Sequence, residues 1–133
     1  VTRIYLASSW RNAHQPTVLA ELRAAGHNVY DFRNPAPGDA GFRWRHVADR
    51  PIETCADLRA ALAHPMAQRG YGHDRRGMDR AQGCVLLLPS GRSAHLEAGW
   101  IGGTGRPVAV LVPELHLPLL AGERHDAFPK GHP

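Results

Sequence analysis

Cysteine is nearly missing from this chain: Cys55 and Cys84 are the only two in 133 residues, and they lie far apart. So sparse a set excludes a disulfide framework and a cysteine-built structural zinc site. Lysine is scarcer still, since fifteen of the 16 basic residues are arginine and only Lys130 is lysine. No apolar run approaches the roughly 18 residues that span a bilayer, so no membrane partner is expected. No leader of basic, apolar and small residues stands ahead of the first apolar run, which itself contains Arg3. The expectation is a cytoplasmic protein in a reducing compartment. A Walker loop and a correctly spaced dinucleotide fingerprint are both absent. Neither a metal nor any other cofactor is called for, and no segment repeats.

What remains is ordinary globular material, 43% hydrophobic and 21% charged, enough for one core. The 16 basic and 12 acidic residues leave a net charge of +4. A nucleic-acid platform asks for a continuous basic stripe with interleaved aromatics. Here the arginines are dispersed, with loose groups at Arg43, Arg45, Arg50 and at Arg75, Arg76, Arg80. Nucleic acid is therefore disfavoured as a partner. A pocket for a small anion suits the modest positive charge better.

The pattern along the chain alternates strands and helices. Arg3 to Ala7 (RIYLA) reads as a buried strand. Pro16 suits the first turn of a helix, Val18, Leu19, Leu22 and Ala25 recur at helical spacing, and Gly26 stops it. His27 to Phe32 reads as a second strand, which completes a β-loop-α-turn-β unit. The stretch from Arg33 to Glu53, rich in proline and glycine, reads as a long, mobile wall carrying Phe42 and Trp44. Thr54 predicts the cap of a helix through about Ala63, which Pro65 then breaks or kinks. A short helix follows over Asp74 to Gln82. Gly83 to Leu88 (GCVLLL) is the most apolar strand and reads as central. Ser93 to Gly102 predicts another helix, and Pro107 to Val112 a last strand. The expected architecture is a single α/β domain with a Rossmann- or flavodoxin-like, mostly parallel sheet and helices on both faces. It occupies residues 1–121, followed by a loosely ordered tail over 122–133.

Chemistry concentrates where an apolar strand runs through a Ser/Gly turn into a helix, GCVLLLPSGRSAHLEAGW. In open parallel sheets ligands collect beyond the carboxyl ends of strands, near helix N-termini. Ser90, Gly91 and Ser93 can offer hydroxyls and N–H groups to an anion there. Counting from Ser93 as N-cap, Glu97 falls one position past the capping-box site, where the helix dipole favours its ionised form. Its plainer explanation is a solvated helix glutamate. Tyr5 in the first strand has core packing as its plainer explanation, and Asp74 has helix capping.

Four patches tie these residues together. RIYLASSWRN, HDRRGMDRAQGCVLLL, SGRSAHLEAGW and GRPVAVLV resemble, in order and spacing, the nucleoside 2-deoxyribosyltransferase superfamily, which includes deoxynucleoside 5′-monophosphate N-glycosidases and cytidylate hydrolases. The likeness spans most of residues 3–112. It implies cleavage of the N-glycosidic bond of a 2′-deoxynucleoside or its 5′-monophosphate through a covalent glycosyl-glutamate. The sugar then passes to another base or to water. The resemblance assigns Glu97 as nucleophile, Asp74 as the assisting acid and Tyr5 as the residue that orients Glu97. It places Ser9 and Arg11 in a substrate loop and Ser90 and Ser93 beside a 5′-phosphate, and it implies a homo-oligomer. The pattern departs at His73, where the family has Asn, and at Gln82, where it has Asp. The alternative is a nucleotide-binding module of the same fold without turnover. Phe42 or Trp44 could stack on the base, with Trp44 the candidate site residue.

Overall fold

The structure is a computed structural model and describes residues 1–113. Residues 114–133, with the tail expected over 122–133, lie outside the described residues. In chain order the elements are β1 (Arg3–Ala7), α1 (Gln15–Ala24) and β2 (Asn28–Tyr30). A single 3-10 turn (Trp44–His46) follows, then α2 (Cys55–Leu62) and α3 (Pro65–Arg80). The described part closes with β3 (Gly83–Leu87), α4 (Arg92–Gly103) and β4 (Val108–Leu111).

The four strands form one sheet in the order β2-β1-β3-β4, and every pairing is parallel. Period-two alternation sends each strand's side chains to opposite faces. Tyr5, Ala7, Cys84 and Leu86 face one side and pack with Met78 of α3 and with Ala94, Ala98 and Ile101 of α4. Leu6, Val29 and Leu87 face the other, against Val18, Leu19 and Leu22 of α1. Helices therefore cover both faces. Leu6 and Leu87 are fully buried at the centre, each contributing about 1.5–3 kcal/mol of apolar burial.

The local signals act as read in α1. Pro16 sits in the first turn, and Gly26 takes φ +92°, a conformation that only glycine adopts cheaply, to turn the chain into β2. Thr54 caps α2, its hydroxyl accepting from the Asp57 N–H while the Asp57 carboxylate accepts from the Thr54 N–H.

Two boundaries depart from expectation. Pro65 does not break a helix; it opens α3, where its missing N–H costs nothing. The helix expected at Asp74–Gln82 is the second half of this 16-residue element. Asp74 lies well inside it, so capping does not explain that residue. At α4 the N-cap is Gly91 rather than Ser93. Glu97 consequently sits in the second turn, beyond most of the helix dipole's reach.

The stretch after β2 is fastened to the body rather than standing free. Phe42 packs against Gly70 of α3, the Trp10 indole donates to the Phe42 carbonyl at 3.1 Å, and His73 meets the Asp39 carboxylate at 3.4 Å.

Candidate active site

The strand order reverses direction between β1 and β3: the chain moves from β1 outward to β2, then crosses back to β3 and on to β4. Loops beyond that switch point diverge and leave a crevice, the usual ligand position in such sheets. Two loops frame it, residues 8–14 after β1 and 88–91 after β3. Asn12, buried, holds them together: its side-chain amide donates to the Pro89 carbonyl at 3.1 Å, and its oxygen accepts from the His14 N–H at 2.8 Å. Ser8 donates to the Leu87 carbonyl at 3.0 Å.

On the α3–α4 face of the sheet the structure brings Tyr5, Asp74 and Glu97 into one cluster. The Tyr5 hydroxyl donates to Glu97 Oε2 at 2.8 Å. A fourth member, Tyr30, donates to Asp74 Oδ1 at 2.7 Å. The two tyrosine rings stack, centroids 5.2 Å apart and planes inclined by 10°. Sequence reasoning passed over Tyr30 because a tyrosine ending a strand reads as packing. Its parallel register opposite Tyr5 exists only in the sheet.

Burial sets the electrostatics here. Desolvation, opposed by the Tyr5 hydrogen bond and reinforced by the Asp74 charge, pushes the Glu97 carboxyl up to about 7. Desolvation also raises Asp74, while the hydrogen bond from Tyr30 and the nearby His73 pull it back. The two carboxyls share one desolvated site, and a charge on Asp74 makes ionisation of Glu97 harder. Both tyrosine hydroxyls are held far above their ordinary range, chiefly by burial and then by the Asp74 charge. They remain hydrogen-bond donors at any working pH. Cys84, beneath the cluster, is pushed up to about 11 by burial and stays a thiol.

The polar loop residues lie around the crevice. The Ser9 hydroxyl accepts from the Arg11 N–H at 3.2 Å, and Arg11 is exposed. Ser90 approaches His95 Nδ1 at 3.4 Å, and that nitrogen also meets the Gly91 carbonyl at 2.9 Å. Gly91 at the start of α4 supplies no side-chain cap, and Ser93 is exposed in its first turn.

Arg33 is a second residue that the sequence did not mark. One of its terminal nitrogens donates to the carbonyls of Ser9, Trp10 and Asn12 at 2.9–3.0 Å and so shapes the whole loop after β1. An arginine opening a loop carries no local sign of such a role.

Trp44 is not brought to the carboxyls. It packs edge-on against Phe42, half exposed, and lines a small separate groove with Arg45, Ala48 and Pro51. A cleft of about 870 Å³ runs along the open edge of β2 past Tyr30, His73 and Arg76, to the side of the carboxyl cluster. Among the described residues no group of His, Cys, Asp and Glu is placed to hold a metal ion, and no helix is long and apolar enough to cross a membrane.

Comparison of the chain with family models, with curated proteins and with solved structures finds no match in any of the three.

Proposed function

We propose that the protein cleaves the N-glycosidic bond of a 2′-deoxynucleoside or its 5′-monophosphate, with Glu97 as nucleophile, and passes the sugar to a second base or to water. The observation that carries this reading is the 2.8 Å hydrogen bond from Tyr5 to Glu97 below the switch point of the sheet. It fixes one oxygen of a half-buried carboxyl, and the other takes no protein hydrogen bond among the described residues. The motif likeness supplies the substrate class.

In this reading the free Glu97 oxygen attacks C1′ while the bond to the base breaks, through an oxocarbenium-like transition state. The base leaves with a proton from Asp74. Water or an acceptor base then attacks C1′ from the vacated side, gives its proton to the Asp74 carboxylate, and frees Glu97 as the bond from C1′ to its oxygen breaks. The competent form of the pair therefore carries one proton, and carries it on Asp74. The reactive form is one tautomer of a singly protonated pair, and activity belongs to the pH range in which that pair exists. The exposed Arg11 and the start of α4 at Gly91 suit a 5′-phosphate. Small nucleosides or nucleotides, a homo-oligomeric assembly and a cytoplasmic setting belong to the same reading.

The test is base release from a panel of nucleosides and 5′-monophosphates, with and without an acceptor base. Glu97→Ala abolishes release, and a 2-fluoro-2-deoxy substrate adds one sugar mass to the peptide containing Glu97. Saturable binding with no release from any substrate identifies instead a nucleotide-binding module.

A further inference from the structure

We propose that Tyr30 is a positioning residue for Asp74, and that the stacked Tyr5–Tyr30 pair acts as one aromatic spacer holding the two carboxyls in fixed mutual placement. The inference rests on the glycosidase reading for its kinetic consequences, but not for its structural ones.

Three independent features converge on Tyr30. The first is register. Tyr5 and Tyr30 are direct partners in the parallel pairing of β1 with β2. Neighbouring strands lie about 4.8 Å apart, so side chains at paired positions project side by side on one face. The observed 5.2 Å centroid separation and 10° inclination are that spacing expressed in two flat rings. The second is the seat under the ring. Gly77 of α3 lies against it so closely that a Cβ there would stand 2.8 Å from Tyr30 Cγ and 2.9 Å from both Cδ atoms. The third is the hydroxyl, which ends 2.7 Å from Asp74 Oδ1. Residues three apart lie on one face of a helix. Along a single stripe, α3 therefore gives up a side chain at position 77 to admit the ring and presents a carboxyl at 74 to receive its hydroxyl.

The outcome is symmetrical in function. Tyr5 holds one oxygen of Glu97, Tyr30 holds one oxygen of Asp74, and the rings brace each other. Asp74 Oδ2 takes no protein hydrogen bond among the described residues. The proton that Asp74 carries in the proposed reaction belongs on Oδ2, because Oδ1 is occupied as an acceptor. Without the Tyr30 hydroxyl the carboxyl is free to rotate about its χ2, and the proton loses its fixed direction.

The decisive variant is Tyr30→Phe, which keeps the ring, its stacking and its seat on Gly77. With the deoxynucleotide turned over fastest in the panel above, kcat falls about tenfold or more while KM stays within threefold. The acidic limb of the rate profile moves to higher pH, because a hydrogen bond that favours the carboxylate is gone. Thermal stability changes by only a few degrees. Gly77→Ala pushes the ring from its seat with the hydroxyl still present and reproduces the loss in kcat. An unchanged kcat together with an unmoved acidic limb in Tyr30→Phe overturns the proposal. A measurement without substrate separates this from failure of the glycosidase reading. The ¹³C resonance of the Asp74 carboxyl, followed by NMR through a pH titration, has a higher midpoint in Tyr30→Phe than in the parent protein. If no substrate is turned over but the midpoint moves, the glycosidase reading fails and the hydrogen bond stands. A midpoint that does not move overturns the proposal whatever the activity.

Discussion

Glu97→Gln offers a test of the electrostatics of the cluster that needs no substrate. In the fold, desolvation first and the Asp74 charge besides hold the Glu97 carboxyl at about 7, against an ordinary 4.5. At ~1.4 kcal/mol for each tenfold change in proton affinity, the ionised form costs the folded protein up to about 3 kcal/mol. The sign follows from proton counting. Below pH 4.5 both folded and unfolded chains carry the proton, and Glu97 costs nothing. Between pH 4.5 and 7 the unfolded chain ionises while the fold retains its proton, so stability drains away as pH rises. Above pH 7 the full cost applies. Glutamine has the shape of the protonated carboxyl and does not ionise. Unfolding by urea, measured from pH 4.5 to 8.5 for parent and variant, gives two stability curves. Their difference grows in favour of Glu97→Gln by about 3 kcal/mol across that range, most of it between pH 5 and 7. Subtracting at each pH removes any constant effect of the amide. Two parallel curves would refute the reasoning, because Glu97 would then titrate alike in the fold and the unfolded chain.

The remaining predictions concern activity and loop structure. If the productive pair holds one proton, kcat/KM falls as pH rises through about 7, where that proton is lost. A rate still climbing at pH 8.5 removes Asp74 as the acid. Asp74→Asn keeps an acceptor for Tyr30, so turnover drops by about 10²–10⁴-fold with little change in melting temperature. Arg33→Lys moves the donor away from three converging carbonyls that a single guanidinium nitrogen now serves, and costs about 2 kcal/mol. A calorimetric melting temperature matching the parent's contradicts it. In competition binding, dCMP outcompetes deoxycytidine and Arg11→Ala narrows the gap; equal affinities in the parent leave no phosphate site. Trp44→Ala leaves substrate affinity unchanged, since the side chain packs on Phe42 and its own loop.

Much of the frame follows from the sequence alone, because its causes are local. Proline at 16 and glycine at 26 bracket α1 through backbone stereochemistry that needs no partner. The apolar run at 83–87 becomes an inner strand, flanked by β1 and β4, because an inner position buries both of its faces. The candidates Tyr5, Asp74 and Glu97 came from motif order, and they do meet in one cluster. The full length of α3 was not legible. Pro65 reads as a breaker, and Gly70, Gly72 and Gly77 weaken helix propensity, which packing against the sheet overrides. Nor was the capping of α4, because Gly91 and Ser93 compete for one role and only the path of the chain out of β3 selects between them. Tyr30 and Arg33 stayed hidden for a deeper reason. Tyr30 matters because a strand 25 residues away lies beside it in one register, and Arg33 because three carbonyls of another loop converge on it. Local sequence sets which element forms. Pairing register, and the burial that gives Glu97 its altered proton affinity, exist only once distant segments have excluded water between them.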